Sequence, residues 1–179
     1  MKKFFFLVGF VMISLFVSHT AFAQDATPSA NSQSDYLLPY PGLLPDSLLY
    51  PLKLVRDRIV GFLISDPLKK SEFNLLQADK RLSSGISLFE KRKDKEELVY
   101  STISKGENYF EEAIVKLDEA KKQGSPNTSD ISTKLSQSAK KHAEVLKDLK
   151  KKVKNKQGFE NLEKRVEGFE KRLVKYSQN

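Results

Sequence analysis

The 179-residue chain has no cysteine and no tryptophan, and it has only two methionines and two histidines. Without cysteine there is no disulfide, no thiolate nucleophile and no thiolate metal site. One of the histidines, His19, lies close to the N-terminus, which leaves His142 for the rest of the chain. A single histidine with no H-E-x-x-H spacing gives no zinc-protease pattern, and a Ser-His-Asp arrangement has no support. No run of alternating apolar and polar residues has the length of a strand, so the chemistry available to the chain must be built on helices.

Long apolar runs are also scarce. The one present is Phe4 to Val17, which follows the positive Met1-Lys2-Lys3 start. It is shorter than the about 20 apolar residues that a membrane span requires, and it fits the apolar core of a signal peptide. Ala21-Phe22-Ala23 supplies an A-x-A cleavage site, so cleavage is expected after Ala23, with Gln24 as the new N-terminus. No cysteine follows the run, which excludes a lipid-anchored form. The expected location is secreted or extracytoplasmic, in the cell envelope or periplasm. Membrane contact is expected only through the signal peptide before cleavage.

Residues 24–179 carry 29 basic and 23 acidic side chains, unevenly spread. Residues 24–66 have 3 basic and 5 acidic groups, residues 67–124 have 12 and 11, and residues 125–179 have 14 and 7. The positive charge thus belongs to the C-terminal third. For an exported chain this favours anionic envelope polymers or lipid headgroups over nucleic acid.

Residues 24–35 are small, polar and aperiodic, and read as a disordered linker. Residues 36–47 hold Pro39, Pro41 and Pro45, which keep this stretch an extended strip. Five helices are expected after it, over 47–65, 67–92, 94–123, 130–156 and 159–177. In the first, Leu48, Leu52, Val55, Ile59 and Phe62 form one apolar face, with Asp46 or Ser47 as cap. Asp66-Pro67 opens the second, whose stripe is Leu68, Leu75, Leu82, Ile86 and Phe89. Asp94 with Glu97 resembles a capping box for the third, which carries Leu98, Ile103, Phe110, Ala113, Ile114 and Leu117 and stops at Gly124 and Pro126. Asp130 caps the fourth, with Ile131, Leu135, Ala139, His142, Leu146, Leu149 and Val153, and Gly158 is its candidate C-cap. Phe159, Leu162, Val166, Phe169, Leu173 and Tyr176 begin a new stripe of short coiled-coil character that packs back onto the body. The fold class is all-α: a single up-and-down bundle of four to five helices over 36–179.

The stretch Tyr40-Pro-Gly-Leu-Leu-Pro-Asp-Ser-Leu-Leu-Tyr-Pro-Leu-Lys-Leu-Val-Arg-Asp57, continuing to Asp66-Pro67 and Phe73, resembles a family of bacterial extracytoplasmic helical domains of unknown function. The resemblance covers residues 39–82, about a quarter of the chain. It implies an exported helical domain with no assigned activity. Some relatives form the outer part of membrane-anchored regulators. That role does not carry over directly, because no second hydrophobic segment follows.

Two partner-binding candidates emerge. Tyr36, Tyr40 and Tyr50 flank the proline-rich strip and offer a docking face, although clamping the strip onto the first helix is the ordinary use of such rings. Lys140, Lys141, Lys147, Lys150, Lys151 and Lys154 dominate the fourth helix, together with Lys134, Lys152 and Lys156. They suit diffuse attraction to an anionic polymer or protein partner, or simply a solvated face. Lys53, Arg56, Asp57 and Arg58 read as a structural ion-pair network with Asp57 paired to Lys53. His142 reads as a partly buried structural histidine. Glu107 with Glu111, and Glu163 with Glu167, are i,i+4 carboxylate pairs able to share a divalent cation, but better read as solvated faces. No catalytic, cofactor-binding or metal residue is assigned, and no cofactor is expected. The expected role is a non-enzymatic interaction module. The alternative is an extracytoplasmic small-ligand or cation sensor.

Overall fold

The computed structural model describes residues 36–174 and 176. The expected signal peptide, the cleavage residues Ala21, Ala23 and Gln24, and the linker at 24–35 lie outside the described residues. The extended strip from Tyr36 leads into five α-helices: α1 Tyr50–Leu63, α2 Pro67–Lys91, α3 Glu96–Lys122, α4 Thr128–Lys152 and α5 Lys156–Val174. A 3-10 turn, Lys93–Lys95, joins α2 to α3. The described residues contain no strand.

Helices α2 and α3 form a long antiparallel hairpin, and α4 and α5 form a second that closes over it. Two glycines set the first hairpin's closeness. A Cβ on Gly85 would stand 2.4 Å from Ile103 Cγ1, and one on Gly106 would stand 3.2 Å from the Ala78 carbonyl oxygen. The helix propensity lost at Gly85 is thus exchanged for contact between α2 and α3. The core is continuous from Leu75 to Leu173 and includes Leu82, Ile103, Phe110, Leu135, Leu146, Phe159 and Phe169. Every expected apolar position of α4, from Ile131 to Val153, is buried. The α5 stripe packs back as expected, with Phe169 stacked on Phe110 at 5.2 Å.

The α2 and α3 ends follow the sequence signals. Asp66 accepts a hydrogen bond from the Lys69 amide at 2.8 Å, and Pro67 occupies the first helical position. At the end of α3, Gly124 has φ +70°, and Ser125 N–H donates to the Ala120 carbonyl while Gly124 N–H donates to that of Lys121. This is a Schellman closure.

Other termini differ from expectation. Helix α1 begins at Tyr50, and Ser47 Oγ accepts from the Leu49 amide ahead of the helix, so neither Asp46 nor Ser47 caps it. Asp94 sits in the 3-10 turn and makes no cap. Helix α4 starts at Thr128 after Asn127 with φ 61°, which places Asp130 in the first turn. Gly158 does not end α4; it lies inside α5, where its amide donates to Asn155 Oδ1 at 3.0 Å. The chain turns between α4 and α5 because the Glu96 carboxylate accepts the Lys154 and Asn155 amides at 2.9 and 2.6 Å. Those two bonds hold the Glu96 carboxyl below its ordinary pKa.

The largest departure concerns α1. Its expected core face is exposed: Leu48 97%, Leu52 69%, Val55 59%, Ile59 55% and Phe62 85%. The side turned inward carries Asp57 and Gly61, the only buried residues of the helix. Polar contacts fasten it instead. Arg81 donates to the Tyr50 hydroxyl at 2.8 Å, Lys53 donates to the Pro41 carbonyl at 3.2 Å, and Lys70 donates to the Gly61 carbonyl. Gly61 lets α1 approach the Phe73 ring, where a Cβ would stand 3.1 Å away.

Candidate functional site

His142 is fully buried rather than partly so. Its Nδ1 lies 2.9 Å from Glu107 Oε1 on α3, and its Nε2 lies 3.1 Å from Asp79 Oδ1 on α2. Both ring nitrogens face carboxylate oxygens, so both donate, and the ring is an imidazolium. Burial alone would push the histidine pKa down, but the two carboxylates override it and hold it at about 9. Ser138 Oγ donates to Asp79 Oδ1 at 2.6 Å, and the Tyr36 hydroxyl donates to Asp79 Oδ2 at 2.6 Å. Burial, with the adjoining Asp79, raises the Tyr36 phenol well above its ordinary pKa. The Phe110 ring stands edge-on to the imidazole at 5.2 Å. Glu107 Oε2 has no hydrogen-bond partner. A protonated imidazole offers no lone pair to a metal, and no group of three or more His, Asp or Glu among the described residues is placed to hold one.

This cluster overturns the reading of Glu107 and Glu111 as one solvated face. Glu107 points into the core, whereas Glu111 meets Arg165 at 2.6 Å and Arg172 at 3.7 Å. Glu163 pairs with Lys150 on α4. Asp57 pairs with Arg56 at 2.7 Å and not with Lys53.

Between α1 and the α2–α3 hairpin lies an open cleft of about 690 Å³. Phe73 and Tyr109 give it aromatic walls, and Arg58, Lys70, Arg81 and Lys105 outnumber Asp57 and Glu112 along it. Asn74 on its floor is 2% exposed, and its Nδ2 has no partner; the buried Nε of Arg81 has none either. The Arg81 guanidinium also sits over the Tyr109 ring at 5.4 Å. Both atoms are sealed behind the cleft wall, so the polar groups the cleft itself offers are the cations along it.

The docking candidates separate. Tyr36 and Tyr50 are tied to the body by their hydroxyls, while Tyr40 stays exposed beside Lys53 and Arg56. Lys140, Lys147, Lys151 and Lys154 are exposed, as are Lys134, Lys152 and Lys156. Lys141 pairs with Glu144 at 3.2 Å, Lys151 with Asp148 at 2.9 Å, and Lys150 with Glu163. Lys140, Lys147 and Lys151 lie on the side of α4 away from the buried stripe, at spacings of 7 and 4.

Asp79, Ser138, Asn74 and Arg81 were not singled out from the sequence. Two signals pointed to the buried cluster. Glu107 stands four residues after Ile103 and three before Phe110, and Asp79 stands four after Leu75 and three before Leu82. Both carboxylates occupy stripe positions, as His142 does.

No helix among the described residues is long and apolar enough to cross a membrane. No curated protein and no solved structure matches the chain at a significant level. One family model does match, over residues 42–156, which takes in α1 to α4 and stops where α5 begins. On that match, the chain belongs to the family described as a domain of unknown function, DUF5667.

Proposed function

We propose that the chain is an exported, non-enzymatic interaction module that holds an anionic envelope polymer against the outer side of α4. The observation that carries this reading is the set of exposed lysines Lys134, Lys140, Lys147, Lys151 and Lys152 on α4, continued by Lys154 and Lys156 at the turn into α5. Lysine suits it, because a mobile point charge follows a polymer of irregular geometry better than a planar fork does. The test is retention on anionic cell-wall material. At about 0.15 M salt, where the Debye length is about 8 Å, the protein is retained; near 1 M, where it is about 3 Å, it elutes. Lys140→Glu with Lys147→Glu weakens retention at the lower salt. Retention that ignores both salt and these substitutions rejects the reading.

A second reading, a sensor of small organic anions, is supported by the cleft under α1, whose lining combines Phe73 and Tyr109 with the cations Arg58, Lys70, Arg81 and Lys105. An aromatic carboxylate such as 2-naphthoate then raises the thermal midpoint, and substitution of the exposed cleft cation, Lys105→Glu, removes the rise. A midpoint unmoved by millimolar 2-naphthoate counts against it.

A further inference from the structure

Of the fifteen large apolar side chains exposed among the described residues, twelve fall between Leu37 and Leu63. Scattered apolar residues on a surface need no explanation, but a concentration in one segment marks a contact. The stripe Leu48, Leu52, Val55, Ile59 and Phe62 points almost opposite to Asp57 and Gly61, the residues that face the body. Leu49, Val60 and Leu63 are exposed as well and widen the stripe on one side, so that it is broader than a narrow coiled-coil seam and takes in the position of Arg56. At about 100° per residue, Arg56 lies about 80° to one side of the stripe's centre and Arg58 about 80° to the other. Both are exposed. Tyr40 and Leu43 stand on the Arg56 side and extend the patch.

We propose that the outer face of α1 is a membrane-interfacial surface that lies in the headgroup region of an anionic bilayer. A broad apolar face with one arginine within it and another at its edge is a layout that sinks a helix to the depth of the acyl boundary while the long arginine side chains reach anionic headgroups. A second copy of the chain fits less well. Two-fold pairing of this stripe would set Arg56 and Arg58 against the same cations of the other copy. This contact is additional to the α4 polymer face and lies on a different helix. The contact itself requires no membrane-spanning helix.

The test uses residues 24–179, the chain left by the expected cleavage after Ala23. It is mixed with vesicles of equal parts phosphatidylcholine and phosphatidylglycerol, or of phosphatidylcholine alone, and sedimented. The protein is expected on the anionic vesicles. Val55→Glu with Ile59→Glu lowers the bound fraction about tenfold or more. The far-ultraviolet spectrum and thermal midpoint stay unchanged, since both positions face solvent. Arg56→Glu with Arg58→Glu abolishes the preference for anionic over neutral vesicles. Lys140→Glu with Lys147→Glu leaves the dependence on the α1 stripe intact, which separates this contact from the polymer face. Three results overturn the proposal: absence of binding to anionic vesicles, binding indifferent to the Val55 and Ile59 substitutions, or stripe variants whose only effect is to turn a dimer into a monomer in analytical ultracentrifugation.

Discussion

The imidazolium of His142 sits in the core between two carboxylates, and its removal leaves them facing each other out of water. His142→Gln keeps much of the shape but carries no charge. Breaking a buried ion pair on one side typically costs about 3–5 kcal/mol, so this variant should unfold at much lower denaturant. The wild type should also show a distinctive pH profile. The folded histidine binds its proton up to about pH 9, against 6.5 for an ordinary one. The folded state therefore holds more protons than the unfolded state between those values, and stability falls as pH rises through them. The contribution is complete below about pH 6.5 and gone above about pH 9. Urea midpoints measured at intervals across this window should decline in the wild type, and the decline should be absent from His142→Gln. The residues that build this centre were partly legible. Periodicity put His142 on the buried stripe of α4, and the same count puts Asp79 and Glu107 at core positions. Carboxylates at such positions look like solvated side chains until a neighbouring helix supplies the cation, and that pairing spans 35 and 63 residues of sequence.

Helices α2 to α5 came from the 3.6-residue rhythm almost directly, because their stripes meet each other and nothing competes. Helix α1 has an equally good rhythm and turned the other way. Hydrophobic periodicity says that a face will be covered but does not say by what, and α1 is steered by Tyr50, Lys53 and Gly61 through polar bonds. Caps were legible where the side chain and its amide are three residues apart, as at Asp66. They were not where the satisfying group is remote, as with Glu96 and the α4–α5 turn. The glycines give a paired test of how tightly the elements meet. Gly85→Ala places a methyl group 2.4 Å from Ile103 Cγ1. It should cost about 1–3 kcal/mol by overpacking, even though alanine favours a helix by about 1 kcal/mol. Gly168→Ala in α5 meets nothing within 4 Å. It should stabilise by up to about 1 kcal/mol. Thermal unfolding of the two variants side by side reads both signs.

At the scale of the whole molecule, the segment matched by the family ends at residue 156, yet the core does not. Phe159, Leu162, Val166, Phe169 and Leu173 are all buried, and Phe169 lies flat on Phe110, which in turn meets the buried imidazole. The charge bias of the C-terminal third was visible in the composition, but its layout was not. Two of the α4 lysines close ion pairs at half-buried positions, and the exposed ones remain on the outer side. The Tyr36 hydroxyl fastens the start of the described chain to Asp79, midway along α2. Tension on the polypeptide ahead of Tyr36 is thus delivered to the bundle's waist, onto a bond shared with its electrostatic keystone, and not to a helix end that could peel away turn by turn.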